Sequence, residues 1–339
     1  MVADIANHQV QDGHQVSLIY ALRADTPANW RELLDARIRC HFLSMVRAIH
    51  PIQDIRSGWQ LFALFKKLQP DVVHLHSSKA GAIGRIVSLF YRRAQYFFSP
   101  HGLSFLQHTS QGKHRIFLYV EKILALFSVP FIACSASEAN VICRHLTQHV
   151  FIVENAVDPS GIAVKTALNP RLQIGTVGRI CPQKNPEMLA AIATACQHLP
   201  LDFIWIGSGD TRGEALLQAA GVKVTGWMPR AAVLHALSQW DVYVQTSRWE
   251  GMPVAVIEAM LAGLPTIVSN VIGNRDVVVP GKTGFIANDQ QEFVQKLITL
   301  TQAPETILLL GQAAREMALS RFCISHMIRT LYQVYGLSI

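Results

Sequence analysis

Short apolar runs recur along the whole chain, separated by longer stretches in which apolar residues return every third or fourth position. The runs suit strands buried on both faces, and the longer stretches suit amphipathic helices. Strands are predicted at 15–20, 71–76, 95–99, 131–134 and 150–154 in the first half. In the second half they are predicted at 172–177, 201–206, 222–225, 241–246, 265–269 and 284–287. Helical patterns fall between them, at 58–68, 116–127, 187–198 and 231–238. This alternation predicts an α/β protein built on doubly wound parallel sheets. Residues 155–170, with Pro159, Gly161 and Pro170, read as a linker between two such sheets. The predicted division is 1–158, 159–325 and a last helix, 326–339, packing back on the first domain. Residues 2–12 already read as a polar-faced helix ending at Gly13. A parallel α/β domain commonly opens with a buried strand and a tight turn. Such an opening is expected ahead of Met1, from an upstream start or a truncation.

Composition sharpens the class. Half of the 339 residues are hydrophobic and 16% are charged, enough apolar surface for two cores and too little charge for a disordered chain. The most apolar stretch, 116–136, is broken by Glu121, Lys122 and Pro130, so no membrane span is predicted. The first residues lack the basic-then-apolar order of a secretory signal. Six cysteines without C-x-x-C spacing suit reduced thiols and a cytoplasmic location. The charge is uneven. Residues 1–155 carry 16 Lys and Arg against 10 Asp and Glu, whereas 156–339 carry 14 against 13. No interleaved aromatic and basic motif points to nucleic acid. A basic first half suits an anionic membrane surface or a lipid diphosphate.

The chemistry concentrates in Glu250-Gly-Met-Pro-Val-Ala-Val-Ile-Glu258. Pro253, with fixed φ and no N–H, suits the first position of a helix running to about Ala262 and ending at Gly263. Glu250 then lies on the loop at the helix mouth and Glu258 lies inside the helix. The turn 250–254 offers backbone N–H groups to a phosphate. Two solvated surface glutamates would show the same spacing by chance. In 172–186 a strand ends at Val177 and a turn at Gly178 follows, with Arg179 and Lys184 ahead of a helix started by Asn185 as N-cap, Pro186 and Glu187. Two cations beside a helix mouth suit a diphosphate; the plain alternative is a surface ion pair and a solvated lysine. Gly207-Ser-Gly209 and Gly226-Trp-Met-Pro229 also follow strands, at the sheet edge where ligands bind. His101, between Pro100 and Gly102, closes a first-half strand. It suits a hydrogen bond to a hydroxyl or phosphate and equally suits a surface histidine. His74 and His76 share a strand face without a third metal ligand at suitable spacing, and read as a packing and an edge histidine. No D-x-D triplet occurs, so no acidic pair of the kind that holds Mg²⁺ or Mn²⁺ is present.

Taken in order, these stretches resemble the family-4 retaining glycosyltransferases of the GT-B fold, the glycosyl transferases group 1. The resemblance rests on Pro70-Asp-Val-Val-His-Leu-His-Ser77, Ser99-Pro-His-Gly102, Ala133-Cys-Ser-Ala-Ser137, Asn155-Ala-Val-Asp158, Gly178-Arg-Ile with Lys184-Asn-Pro186, Gly207-Ser-Gly209, Gly226-Trp, and Glu250 with Glu258. Ala259-Met, Gly263-Leu-Pro265, Gly273-Asn-Arg-Asp and Gly281-Lys-Thr-Gly284 follow, so nearly the whole chain is covered. It implies two Rossmann-like domains facing a cleft, the first lacking its opening strand and the Gly-rich loop behind it. It implies Arg179 and Lys184 on the donor diphosphate, Glu258 on ribose hydroxyls and Glu250 on the sugar. Gly178 and Gly207 would line the donor site. The backbone of Gly251, Met252, Pro253 and Val254 would lie beside sugar and phosphate, Gly226 to Met228 near the base, and His101 opposite the donor sugar. Gly251-Met-Pro253 replaces the family's usual Gly-Phe-Gly. The implied enzyme is a hexosyltransferase, peripheral on the inner face of the membrane and without metal or cofactor. It would use a nucleotide-diphosphate sugar, UDP before GDP, and a saccharide or lipid-linked saccharide acceptor of surface polysaccharide or lipopolysaccharide synthesis. The rivals are a nucleotide-sugar 2-epimerase on the same fold and an inactive, truncated partner subunit.

Overall fold

The computed structural model describes residues 1–22, 26, 29–46, 49–106 and 111–337. The first half runs α1 (Val2–Gln11), β1 (Ser17–Tyr20), β2 (Arg39–Phe42), α2 (Pro51–Leu68), β3 (Val72–His76), α3 (Ser78–Ser88), β4 (Gln95–Ser99), α4 (Gln111–Ala125), β5 (Phe131–Ala133), α5 (Ala136–His145) and β6 (Val150–Ile152). The second half runs β7 (Leu172–Val177), α6 (Pro186–Ala195), β8 (Leu201–Ile206), α7 (Thr211–Ala219), β9 (Lys223–Val224), α8 (Arg230–Gln239), β10 (Val242–Gln245), α9 (Val254–Leu261), β11 (Thr266–Ser269), α10 (Asn274–Val277), β12 (Gly284–Ala287) and α11 (Gln290–Gln302). Two last helices follow, α12 (Glu305–Arg321) and α13 (Ile324–Tyr335).

Every strand pair between these elements is parallel. The second-half sheet has the order β12-β11-β10-β7-β8-β9. The chain therefore steps outward one way from β7 to β9, then starts again on the other side of β7 with β10. That reversal between β7 and β10 opens a crevice at the carboxyl ends of the strands, the place where doubly wound sheets bind ligands. The first half holds a four-stranded sheet, β3-β4-β5-β6, and a separate pair, β1-β2. One face of the four-stranded sheet packs on α2 and α3 through Leu61, Phe65, Ile83 and Phe98. The other face packs on α1 and α13 through Ile5, Phe97, Ile132, Met327 and Leu331. The last helix thus completes a layer of the first half.

The chain passes between the halves twice, and the passages touch. Val157 bridges to Cys323, its N–H donating to the Phe322 carbonyl at 3.0 Å. Arg321 pairs with Glu154 across the same junction.

Two predicted features differ. The strand Arg39–Phe42 was not expected, because Arg-Cys-His-Phe is no apolar run; its residues lie half in solvent or fully exposed. Pro253 does not start the helix. It caps it in an extended conformation (φ −79°, ψ 108°), and α9 begins at Val254. Among the described residues no helix is long and apolar enough to cross a membrane.

Candidate active site

Four second-half loops meet at the crevice. The first leaves β7 through Gly178, and backbone hydrogen bonds tie it to the loop after β8: Gly178 N–H to Ile206 O, Ile180 N–H to Ser208 O and Asp210 N–H to Ile180 O. Gly207 donates in turn to the Gly226 carbonyl at 2.9 Å, joining the third loop. Gly207 has φ +141°, and a Cβ there would run into the Gly178 carbonyl, so only glycine allows this approach. The fourth loop, 246–253, sits opposite, between β10 and α9. Thr246 Oγ1 donates to the Lys184 carbonyl at 2.9 Å and Arg248 N–H to the Gln183 carbonyl at 2.8 Å, which fixes both sides of the crevice.

The sequence-predicted charges converge here. Lys184 Nζ lies 2.7 Å from Glu250 Oε1, both side chains largely buried, and the lysine stem crosses Gly178. Ser247 Oγ donates to the same carboxylate oxygen at 2.7 Å. Gln183 and Gln245 reach the Glu250 carboxylate at 3.5 Å. Arg179 is exposed on the same loop. Glu258 is buried within α9 and pairs with Arg230 Nη1 at 2.7 Å, a guanidinium that is itself largely exposed. Burial holds the Glu258 carboxyl above its usual range, and Arg230 opposes that shift. Asn185 takes the N-cap position of α6, but in a left-handed conformation (φ 56°) with no side-chain cap. Its Oδ1 accepts from Arg248 at 2.9 Å instead. Gly226 (φ +78°) turns the chain so that Trp227 is 67% exposed, while Met228 packs on the core below.

The first half meets this crevice at His101 and Gly251. A Cβ on Gly251 would stand 2.9 Å from Gly102 N, 3.1 Å from Cys134 Sγ and 3.1 Å from the His101 carbonyl carbon. Asn155, at the start of the linker, donates through Nδ2 to the Met252 carbonyl at 2.8 Å, and Met252 is buried. Glu138 supports the other wall: its buried carboxylate accepts from Gly102 N–H at 2.9 Å and Cys134 N–H at 2.8 Å. His101 adopts φ +53°, and its Nδ1 is buried without a hydrogen-bond partner. Its Nε2 lies 2.9 Å from His76 Nδ1, with the two rings nearly parallel. His74 continues the row, bonded to Tyr335 OH at 2.6 Å and Ser99 Oγ at 2.8 Å. Burial lowers all three histidines: His101 to about 4, with the Met1 amino group adding to the effect, His74 to about 3, and His76 well below its usual value. Three adjacent neutral imidazoles result. Among the described residues no cluster of three or more His, Cys, Asp or Glu has metal-binding geometry.

The structure therefore brings together His101, Gly178, Lys184, Gly207, Glu250, Gly251, Met252 and Pro253 around one crevice. Glu258, inside α9, pairs with Arg230 at the first position of α8. Sequence reasoning missed Arg230, Gln183, Ser247 and the link from His76 to His101. Arg230 lies far from Glu258 in sequence, so spacing alone carries no signal for the pair. His76 and His101 close adjacent parallel strands, and the β3–β4 register pairs His76 with Ser99.

Comparison with known proteins gives a consistent answer. The profile of glycosyltransferase family 4 matches residues 1–160, and that of glycosyl transferases group 1 matches 171–303. The UDP-Gal:alpha-D-GlcNAc-diphosphoundecaprenol alpha-1,3-galactosyltransferase of Escherichia coli is 27% identical over 332 residues, 90% of this chain and 85% of that protein. The capsular polysaccharide biosynthesis glycosyltransferase CapM of Staphylococcus aureus is 25% identical, over 87% of this chain and 85% of its own length. In fold the chain is similar to sucrose-phosphate synthase from Thermosynechococcus elongatus, with a TM-score of 0.85 at 19% identity over 99% of this chain and 92% of that one. It is also similar to Anabaena HepE solved with UDP and glucose, with a TM-score of 0.80 at 18% identity over 99% and 94%. Matched in both halves and built as two parallel-sheet layers around a crevice at a strand-order reversal, the chain belongs to the family-4 glycosyltransferases of the GT-B fold.

Proposed function

We propose that this glycosyltransferase moves a sugar, with retained anomeric configuration, from a nucleotide-diphosphate donor to a saccharide or lipid-linked saccharide of surface polysaccharide synthesis. UDP is favoured over GDP. The observation that carries this reading is the Lys184–Glu250 pair at the crevice. One cation and one carboxylate, both largely buried and facing each other, suit a ligand with a charged phosphate end and a hydroxyl-rich end. In this reading Lys184 and Arg179 neutralise the diphosphate, and the turn 251–254 at the start of α9 offers N–H groups to phosphate and sugar. Glu250 accepts from sugar hydroxyls. Glu258 accepts from ribose hydroxyls, with Arg230 keeping its buried carboxyl ionised. Gly178 and Gly207 let the backbone approach the nucleotide, and Gly226 to Met228 flank the base. The unpartnered Nδ1 of His101 suits a hydroxyl of the donor sugar. The leaving diphosphate and the attacking hydroxyl share one face of the sugar. Catalysis then consists chiefly of stabilising leaving-group charge with cations and N–H groups.

The name of the Staphylococcus aureus relative supports a place in polysaccharide synthesis, and that of the Escherichia coli relative supports a UDP-sugar donor and a lipid-diphosphate-linked saccharide acceptor. Association with an anionic membrane surface has support in the first half. Residues 49–128 hold ten Lys and Arg against three Asp and Glu, as large an excess as the net +7 of the whole chain. The adjacent helices α2, α3 and α4 lie in that stretch and expose Ile52, Ile55, Trp59, Ile116, Tyr119 and Ile123. Exposed apolar side chains on a segment rich in cations suit the interface of an anionic bilayer.

The test is turnover with UDP-galactose, UDP-glucose, UDP-N-acetylglucosamine and GDP-mannose, with and without lipid-linked saccharide, the product anomer read by NMR. An inverted anomer sinks the retaining assignment. Turnover of the donor to an epimer without acceptor replaces the transferase by an epimerase. Sedimentation with anionic vesicles at low salt tests the surface, and no co-sedimentation removes it.

A further inference from the structure

Two imidazoles meet edge to edge in the first-half wall of the crevice. His76 closes β3, and His101 follows β4, the neighbouring parallel strand. His76 Nδ1 and His101 Nε2 are 2.9 Å apart, whereas the ring centroids are 5.2 Å apart and the ring planes lie within 10° of each other. A nitrogen gap so much shorter than the centroid separation means an in-line hydrogen bond, not a face-to-face stack. Both rings are held in place by neighbours. His74 lies against His76 with centroids 3.9 Å apart, and its own nitrogens are taken by Tyr335 OH and Ser99 Oγ. His101 adopts its left-handed conformation (φ +53°) ahead of Gly102, whose N–H is fixed by the Glu138 carboxylate at 2.9 Å.

Burial keeps His76 and His101 neutral. Each ring then has one N–H and one bare nitrogen. The shared hydrogen bond uses one of each. The two outer nitrogens, His76 Nε2 and His101 Nδ1, are left with one N–H and one lone pair between them. Their surroundings decide which ring takes which. His101 Nδ1 is buried with no partner among the described residues, and His76 Nε2 is not stranded in that way. An orphaned buried N–H is rarer in folded proteins than an unused acceptor. The outer N–H therefore falls to His76 and the outer lone pair to His101. The shared proton sits on His101 Nε2, and His76 Nδ1 accepts it.

We propose that His76 is a positioning residue: it accepts from His101 Nε2–H and so locks His101 in the tautomer whose Nδ1 is a hydrogen-bond acceptor. The consequence for substrate rests on the donor-site reading above. There a hydroxyl of the donor sugar gives its hydrogen to His101, and a fluorine, which can only accept, cannot replace that hydroxyl.

Long-range 1H–15N NMR of the full chain, labelled with 15N-histidine and held at neutral pH, decides the tautomer. The His101 signals are assigned by their loss in His101→Asn. The expected spectrum has His101 protonated at Nε2 and bare at Nδ1. Two replacements of nearly equal shape then separate hydrogen bonding from packing at His76. His76→Asn keeps an acceptor oxygen near the place of Nδ1 and should keep the tautomer; His76→Leu has none and should give a mixture. Transfer should follow the same order. The kcat/KM should fall about tenfold in His76→Leu, the worth of one neutral hydrogen bond, and stay within about threefold of the unaltered chain in His76→Asn. A His101 Nδ1–H in the unaltered chain overturns the proposal, whether or not either variant folds. So does an unchanged tautomer in His76→Leu, or an equal loss of transfer in both variants. UDP-galactose, UDP-glucose, UDP-N-acetylglucosamine and GDP-mannose are next added in turn to the unaltered chain. An upfield move of the Nδ1 resonance with one of them, and not with UDP or GDP alone, supports the acceptor role. The expected tautomer with no response to any donor leaves the assignment of His76 standing and overturns instead the placing of His101 on the donor sugar.

Discussion

Lys184 Nζ and Glu250 Oε1 stand 2.7 Å apart across the crevice between β7 and β10. The lysine comes from the loop before α6 and the glutamate from the turn before α9, so the pair ties two loops that the strand-order reversal leaves side by side. Replacing Lys184 by Ala leaves the Glu250 carboxylate in place without its cation. Sugar transfer should fall by about 10²–10³-fold or beyond detection, with the far-UV circular dichroism of the fold intact. Full activity in the Lys184→Ala protein removes the site from this crevice.

Glu258→Gln should likewise abolish transfer if Glu258 holds the ribose as proposed, because a neutral amide accepts more weakly from hydroxyls and leaves Arg230 without its partner. Arg230→Ala separates the two effects. Burial already raises the Glu258 carboxyl, and loss of Arg230 raises it further. The pH at which donor binding is lost on acidification should therefore move upward in Arg230→Ala. Calorimetric titration with UDP across pH 5–8 reads this directly.

Gly251→Ala tests the contact between the halves. The added methyl group would lie 2.9 Å from Gly102 N, inside van der Waals contact, and neither backbone yields cheaply. The halves should stand further apart by small-angle scattering, and transfer should drop by about tenfold or more, the cost of a reacting geometry off by an ångström. An unchanged radius of gyration with unchanged transfer overturns the role given to this contact.

Burial keeps His101 neutral down to about pH 4, whereas an unfolded histidine takes up its proton near 6.5. Between those values the unfolded chain binds more protons, so stability is complete above about pH 6.5 and falls as the pH drops toward 4. His74 and His76 act in the same direction. Urea midpoints should therefore decline steadily from pH 6.5 to 4.5, and less steeply in His76→Asn. The pH–rate profile should show no inflection near 6.5 from His101. An inflection there that disappears in His101→Asn contradicts a neutral imidazole.

Arg85 is fully buried, stacked 4.2 Å over Phe98, and its Nη2 lies 2.8 Å from Glu121. Glu121→Gln strands that cation in the first-half core. The loss should be about 3–5 kcal/mol, read from urea unfolding, while the activity of the folded fraction is unchanged.

The strands 95–99, 172–177, 201–206 and 284–287 fall where the sequence places them. Each is rich in apolar residues and largely buried, and the first three stop at Pro100, Gly178 and Gly207. Arg39–Phe42 was illegible for the opposite reason: it pairs with β1 through its backbone and hides no face deeply enough to need an apolar pattern. The first two turns of α2 were missed because Ile52, Ile55 and Trp59 point into solvent and blur the helical periodicity. Within the site, glycines and charges beside strand ends were readable because loop chemistry is local. The partners of those charges were not, since Arg230 meets Glu258 only through the packing of α8 against α9.

The placement of α13 has a consequence for synthesis. The helix covers Phe97, Ile132 and Val153 on the first-half sheet, yet Met327 is made 174 residues after Val153. At about 5–20 residues per second, that face waits roughly 10–35 s for its cover while the second half emerges. During that interval α1 alone covers that face, and the apolar side chains that α13 later buries stay open to solvent.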